Sequence, residues 1–138
     1  MRRFRAAVVG TGFIGPVHVE GLRRAGVEVA AIVGSTPEKS RQAAERLGID
    51  PRHGSLESVL ADASIDAVHV TTPNRLHVAQ AGAALRAGKH VLCEKPLAMD
   101  SRESAELVRL ARDCGRAAGV AYKIGKYPFT ADPRSRAN

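Results

Sequence analysis

The chain has 138 residues, a length that suits one domain. Hydrophobic residues make up 44% of it and aromatic residues only 4%, with no Trp, so Ala, Val, Leu and Ile must fill any core. Its formal charge of +7 comes from Lys and Arg spread along the chain, with no interleaved aromatics and no DNA- or RNA-binding motif, so nucleic acid is not an expected partner and a solvated basic surface is.

The N-terminal stretch "MRRFRAAVVGTG" places basic residues before an apolar run of about five residues. A signal-peptide core needs roughly 7–15, and Gly10 and Gly12 break the run. No apolar run approaches the ~20 residues of a membrane span. The expectation is a soluble, cytoplasmic protein with no membrane partner. Its two cysteines, Cys93 and Cys114, have neither zinc nor CxxC spacing and read as reduced structural thiols.

Along the chain, apolar runs alternate with helical patterns. Strands are expected over 4–10, 27–34, 52–55, 66–72, 90–94 and 117–123, and helices over 13–26, 36–48, 56–62, 74–88 and 100–115. Pro16 is tolerated in the first turn of its helix. Thr36, Pro37 and Gly48 supply a cap, a first helical residue and a stop. Val78, Ala81, Gly82 and Leu85 share one helical face, as do Leu107, Leu110, Ala111 and Cys114. Asp100 with Glu103 resembles a capping box. Strands joined by helical crossovers give a doubly wound α/β fold, mostly parallel and six-stranded, in the order 3-2-1-4-5-6. Residues 123–138 have no sustained apolar period and two prolines, and are expected to form an irregular tail.

Gly10-Thr11-Gly12-Phe13-Ile14-Gly15 matches GxGxxG between a strand and a helix. In a dinucleotide-binding Rossmann domain Gly10 makes the tight turn, Gly12 lets the backbone approach a pyrophosphate, and Gly15 lets helix and strand pack closely. The helix N-terminus then faces the phosphates. A merely structural Gly-rich turn is the other reading. After the second strand an NAD site calls for Asp or Glu to hold the ribose 2′-OH, but Gly34, Ser35 and Thr36 stand there. Ser35 and Thr36 can donate to a 2′-phosphate and Lys39 adds positive charge, which favours NADP and leaves NAD open. Alternatively, Thr36 only caps its helix and Lys39 is solvated.

Thr71-Thr72-Pro73-Asn74 and Glu94-Lys95-Pro96 both follow strands, at the carboxyl edge where such sheets bind ligands. Asn74 can cap the next helix or reach a cofactor ribose. His77, one turn on, suits packing or ligand contact equally. Lys95 can bond a ribose hydroxyl or exchange a proton with a substrate hydroxyl. Glu94 can balance or orient it. His18, His53, His69 and His90 have no second ligand at metal spacing and read as structural, so no metal site is expected.

Taken together, "VVGTGFIGPVHVEGLRRAG", "DAVHVTTPNRLHVAQAGAALRAGKHVLCEKPLA" and "AGVAY" resemble the Gfo/Idh/MocA oxidoreductases, over residues 4 to about 122. The resemblance implies a nicotinamide-dependent enzyme acting on a sugar, polyol or related carbonyl compound. It makes Lys95 the active-site lysine, with Glu94 and Pro96 as cofactor-side neighbours and a cis Lys95–Pro96 bond. Family members continue into a second domain that supplies the substrate pocket. Residues 1–122 are therefore read as the dinucleotide-binding domain and 123–138 as a linker-like tail, with the second domain absent through truncation, gene disruption or genuine isolation. On that reading the isolated chain binds cofactor without turnover. A non-catalytic NAD(P)-binding module, as sensor or partner subunit, is the alternative, and substrate and oligomeric state stay open.

Overall fold

The computed structural model describes residues 2–121. Five strands and five α-helices follow in the order β1 (Arg5–Val9), α1 (Ile14–Arg24), β2 (Glu28–Val33), α2 (Pro37–Leu47), α3 (Leu56–Ala61), β3 (Ala67–Val70), α4 (His77–Arg86), β4 (His90–Glu94), α5 (Ser101–Cys114) and β5 (Ala118–Ala121). A single 3-10 turn, Asn74–Leu76, leads into α4. The sheet is parallel throughout, in the order β2-β1-β3-β4-β5.

Parallel strands buried on both faces need apolar residues at consecutive positions, and the run Ala6 to Val9 shows this, each residue at most 3% exposed. Alternate residues serve different layers. Ala6, Val8, Ile32 and Ala67 pack with Val19 and Leu22 of α1 and Ala43 and Ala44 of α2. Val9, Val33, Val68, Val70 and Cys93 pack with Val59 of α3, Ala81 and Leu85 of α4, and Leu107 and Ala111 of α5. Each fully buried Val, Leu or Ile contributes about 1.5–3 kcal/mol. Burial pushes the Cys93 thiol up to about 12, with the Glu94 carboxylate adding to the effect, so this thiol stays protonated and inert.

The helix ends follow the expected chemistry in two places. Thr36 Oγ1 accepts the Lys39 N–H at 3.1 Å, Pro37 opens α2, and Gly48 closes it at φ 67°. Asp100 accepts the Glu103 N–H at 2.9 Å, and the Glu103 carboxylate reaches back to the Met99 N–H.

The sheet has five strands, not six. Residues 52–55 form no strand, and dropping that strand leaves the expected order otherwise unchanged. The segment is held by side chains instead. The His53 ring bonds Ser58 Oγ at 2.9 Å and Asp62 at 3.0 Å, and Gly54 O accepts from Ser40 Oγ at 3.0 Å. "RHGS" has no β-branched or alternating apolar residue to cover a sheet edge. The last strand ends within the described residues at Ala121, and the expected tail, 123–138, lies outside them.

Candidate functional site

A cleft of about 1040 Å³ opens at the carboxyl ends of β1, β2 and β3. Small-molecule sites commonly measure roughly 300–1,000 Å³, so an extended ligand fits it. One wall is Gly10 to Ile14, the second is Val33 to Pro37 with Lys39, and the third is Thr71 to Pro73 with Arg75 and Leu76. The order reversal beside β1 creates this opening, because β2 and β3 leave it in opposite directions.

The three glycines of the first loop differ physically. Gly10 sits at φ +117°, and a Cβ there would lie 2.5 Å from Thr71 Oγ1. A Cβ on Gly15 would lie 2.1 Å from the Gly10 carbonyl oxygen. A Cβ on Gly12 would meet nothing within 4 Å. So Gly10 and Gly15 are required by the fold itself, whereas Gly12 lines the cleft with open space on its Cβ side. The α1 N-terminus has no acidic residue in its first turn and no side-chain cap. The Gly15 N–H is bonded to Gly12 O and Pro16 has none, so the Ile14 N–H and the helix dipole make this end receptive to an anion. Phe13 stands 87% exposed at this mouth.

Buried Ser40 organises the second wall. Its hydroxyl accepts the Gly34 N–H at 2.8 Å and lies 3.0 Å from both the Thr36 and Gly54 carbonyl oxygens. This one side chain joins the β2–α2 loop to the segment before α3, leaving Ser35, Thr36 and Lys39 exposed on the cleft. Gly10 N–H donates to Val33 O at 2.8 Å, tying the first wall to the second. Thr71 bonds back to Val9 O through its N–H at 2.8 Å and its hydroxyl at 2.9 Å, tying the third wall to the first. The Thr72 hydroxyl turns to Gln80 of α4.

Other expected site residues lie outside the cleft wall. Asn74, His77, Glu94, Lys95 and Pro96 do not line it. Asn74 provides no side-chain cap: the 3-10 turn and α4 both start without one. His77 is fully buried, and its two ring nitrogens lie 2.7 Å from Pro96 O and 2.7 Å from Thr72 O. It therefore joins the Thr72 turn to the Glu94–Pro96 loop. The Lys95–Pro96 bond is cis, and the Lys95 side chain is exposed. Glu94 points to α1, where its carboxylate lies 2.7 Å from His18 Nε2.

Sequence reasoning missed Arg75, Gln80 and Glu57, all of which line the cleft. Arg75 and Gln80 follow the TTPN turn, and their spacing from it was a usable signal. Glu57 arrives from the first turn of α3, whose position depends on the Ser40 link and had no local signal.

A family model described as "Oxidoreductase family, NAD-binding Rossmann fold" matches residues 4–122. The chain is 39% identical to a 1,5-anhydro-D-fructose reductase of Ensifer adhaerens over 121 residues, which is 87% of this chain and 36% of that protein. It is 38% identical to a D-xylose 1-dehydrogenase (NADP(+)) of Haloferax volcanii, over 89% of this chain and 38% of the relative. Among solved structures, an NAD binding oxidoreductase from Klebsiella pneumoniae superimposes with a TM-score of 0.82 at 33% identity, covering 86% of this chain and 34% of that one. The chain thus spans little more than a third of the proteins it matches. With its parallel sheet, its glycine turn and its cleft at the switch point, the chain belongs to the Gfo/Idh/MocA oxidoreductase family and carries that family's NAD(P)-binding Rossmann domain.

Proposed function

We propose that this chain is the nucleotide-binding part of an oxidoreductase acting on CH–OH groups of a sugar, polyol or related small molecule, and that it prefers NADP(H) to NAD(H). The observation that carries the reading is the open side of Gly12, next to a helix end with neither an acid nor a cap. A pyrophosphate needs that combination of space and free N–H groups. Backbone donors of Thr11 to Ile14 would hold it, with Thr71, Thr72 and Pro73 as the opposite wall.

Cofactor preference rests on the second wall. Ser35 and Thr36 offer hydroxyl donors and Lys39 an ammonium group, with no carboxylate on that loop to repel a 2′-phosphate. Glu57 faces them across the cleft, where Lys39 and Arg75 outweigh its charge. When bound, the nicotinamide supplies hydride exchange with a substrate carbon. Lys95 then bonds the nicotinamide ribose or moves a proton at the substrate hydroxyl, while Asn74, His77, Glu94 and Pro96 shape that end of the site.

Two relatives, a 1,5-anhydro-D-fructose reductase and a D-xylose 1-dehydrogenase, support the substrate class. In the whole protein, placement of the substrate carbon falls to residues beyond the matched region. No helix among the described residues is long and apolar enough to cross a membrane, and the free thiols Cys93 and Cys114 suit a cytoplasmic setting. Calorimetric titration of the chain with NADPH and NADH tests the reading. NADPH is expected to bind about tenfold more tightly, the scale of one charge-assisted contact. Tighter NADH binding would overturn the cofactor preference, and no binding of either would overturn the whole reading.

A further inference from the structure

Three titratable side chains from three elements meet on the α1 side of the sheet. His18 comes from α1, His69 from β3, and Glu94 from the last position of β4. His18 Nε2 lies 2.7 Å from Glu94 Oε1, and His18 Nδ1 lies 2.9 Å from His69 Nδ1. The two rings stand edge to face at 88°, with centroids 5.1 Å apart. No set of three or more His, Cys, Asp or Glu among the described residues is arranged to hold a metal ion, so the trio must be explained by its own hydrogen bonds.

The proton count is constrained. An ionised carboxylate only accepts, so His18 Nε2 carries a hydrogen. The two Nδ1 atoms then share one hydrogen, since two would collide and none would leave two lone pairs facing. Burial, and then the charge of His18, lowers His69 to about 4, so the His69 ring is neutral near pH 7. The chain His69–His18–Glu94 is thereby complete, and Glu94 is fixed from behind by a donor that is itself oriented.

Glu94 immediately precedes Lys95. On the other side of that lysine, Pro96 O lies 2.7 Å from Nδ1 of the buried His77, which bonds it when that nitrogen carries the ring's hydrogen. Lys95 is thus bracketed by two anchored neighbours while its own side chain is exposed.

We propose that His18 and His69 are positioning residues: through Glu94 they set the direction in which Lys95 leaves the end of β4, and so its contact with a bound dinucleotide. The inference rests on the assignment of Lys95 to the cofactor site, and its test separates the two. NADPH affinity is measured by calorimetry for the whole chain, for Lys95→Ala, His18→Leu and His69→Leu, and for each histidine variant combined with Lys95→Ala. Lys95→Ala is expected to weaken binding about tenfold, the worth of one hydrogen bond to a charged group. His18→Leu and His69→Leu are expected to weaken it by part of that factor, and to leave Lys95→Ala with little further effect. His18→Gln, which keeps an N–H donor for Glu94, should recover part of the loss.

If Lys95→Ala binds as the wild type does, the assignment of Lys95 to the cofactor site fails, and this inference with it. If Lys95→Ala weakens binding while the histidine variants do not, or act independently of it, only the positioning role fails. Nitrogen NMR of the unaltered chain keeps the idea testable should a variant not fold. Scalar coupling across the shared hydrogen between the Nδ1 atoms of His18 and His69 is expected, and its absence in a well-resolved spectrum would overturn the chain.

Discussion

Gly12→Val and Gly15→Ala form a matched pair in which two glycines three positions apart should fail in opposite ways. The added Cβ at position 15 would lie 2.1 Å from the Gly10 carbonyl oxygen, against backbone that also carries the Gly10–Val33 hydrogen bond. Relief requires α1 to move away from β1 by about 1 Å, and overpacking on that scale costs about 1–3 kcal/mol. For a domain of this size each kcal/mol lowers Tm by about 3–6 °C. Gly15→Ala should therefore melt about 5–15 °C below wild type. At position 12 nothing stands within 4 Å of the new Cβ, so the melting temperature of Gly12→Val should stay within a few degrees. Its isopropyl group instead fills the space a pyrophosphate needs. Loss of two backbone donors to a charged oxygen, at about 1.5–3 kcal/mol each, should weaken NADPH binding by at least about a hundredfold. Thermal melts and calorimetric titrations of both variants provide the measurements. Wild-type affinity in a folded Gly12→Val chain would remove the glycine turn from the site. A drop in melting temperature equal to that of Gly15→Ala would show that position 12 is also required by the fold.

Ser35→Asp should invert the cofactor order, since a carboxylate repels a 2′-phosphate and accepts from a ribose 2′-OH; titration with NADPH and NADH reads the change. Stability should fall on acidification through His69: its ordinary value near 6.5 is lowered to about 4 in the fold, so the unfolded chain binds the extra proton first. The contribution is complete above about pH 6.5, is lost progressively towards pH 4, and amounts to at most about 3 kcal/mol. Urea melts across that range should show the slope in wild type and a shallower one in His69→Leu. The 138-residue chain by itself should bind NADPH yet reduce no NADP+ with polyols or aldoses, since hydride transfer needs the donor carbon held within about 3–3.5 Å of the nicotinamide. Steady reduction that vanishes in Lys95→Ala would refute this.

Much of the fold was legible because parallel strands and their covering helices write simple patterns. Ala6 to Val9 and Ala30 to Val33 are short apolar runs before turn residues, and the α4 stripe of Ala81, Gly82 and Leu85 is buried as its spacing implied. Thr36 and Asp100 announced their helices because a cap is a local event. The failures were long-range. Residues 52–55 were read as a strand, yet the partners of His53 and Gly54 are Ser58, Asp62 and Ser40, and only the folded backbone brings Ser40 to them. Asn74 was a plausible cap by residue type, but Pro73 and the 3-10 turn set a different start for α4. The glycine turn was legible as a motif; the different reasons for its three glycines were not, because they depend on how near Thr71 and the Gly10 carbonyl stand.

The histidines resisted sequence reasoning most, for a physical reason. At the carboxyl edge of a parallel sheet, chain segments leave their strands with carbonyl groups that no neighbouring strand satisfies. A site there must hold such segments in place without filling the cleft. His77 meets that need with a compact side chain that has a nitrogen on each side, one to Thr72 O and one to Pro96 O, so a turn and a loop separated by 24 residues of chain share one anchor. A neutral imidazole donates one N–H, so Leu or Val in its place would bury as well but leave the carbonyl that receives it unpaired, at about 1–3 kcal/mol. His18 does the corresponding work for a carboxylate, turning Glu94 towards α1 and away from the cleft. His77 thus joins the Thr72 turn, which lines the cleft, to the Lys95 loop, and His18 joins that loop to α1, links that neither metal spacing nor helical periodicity could reveal.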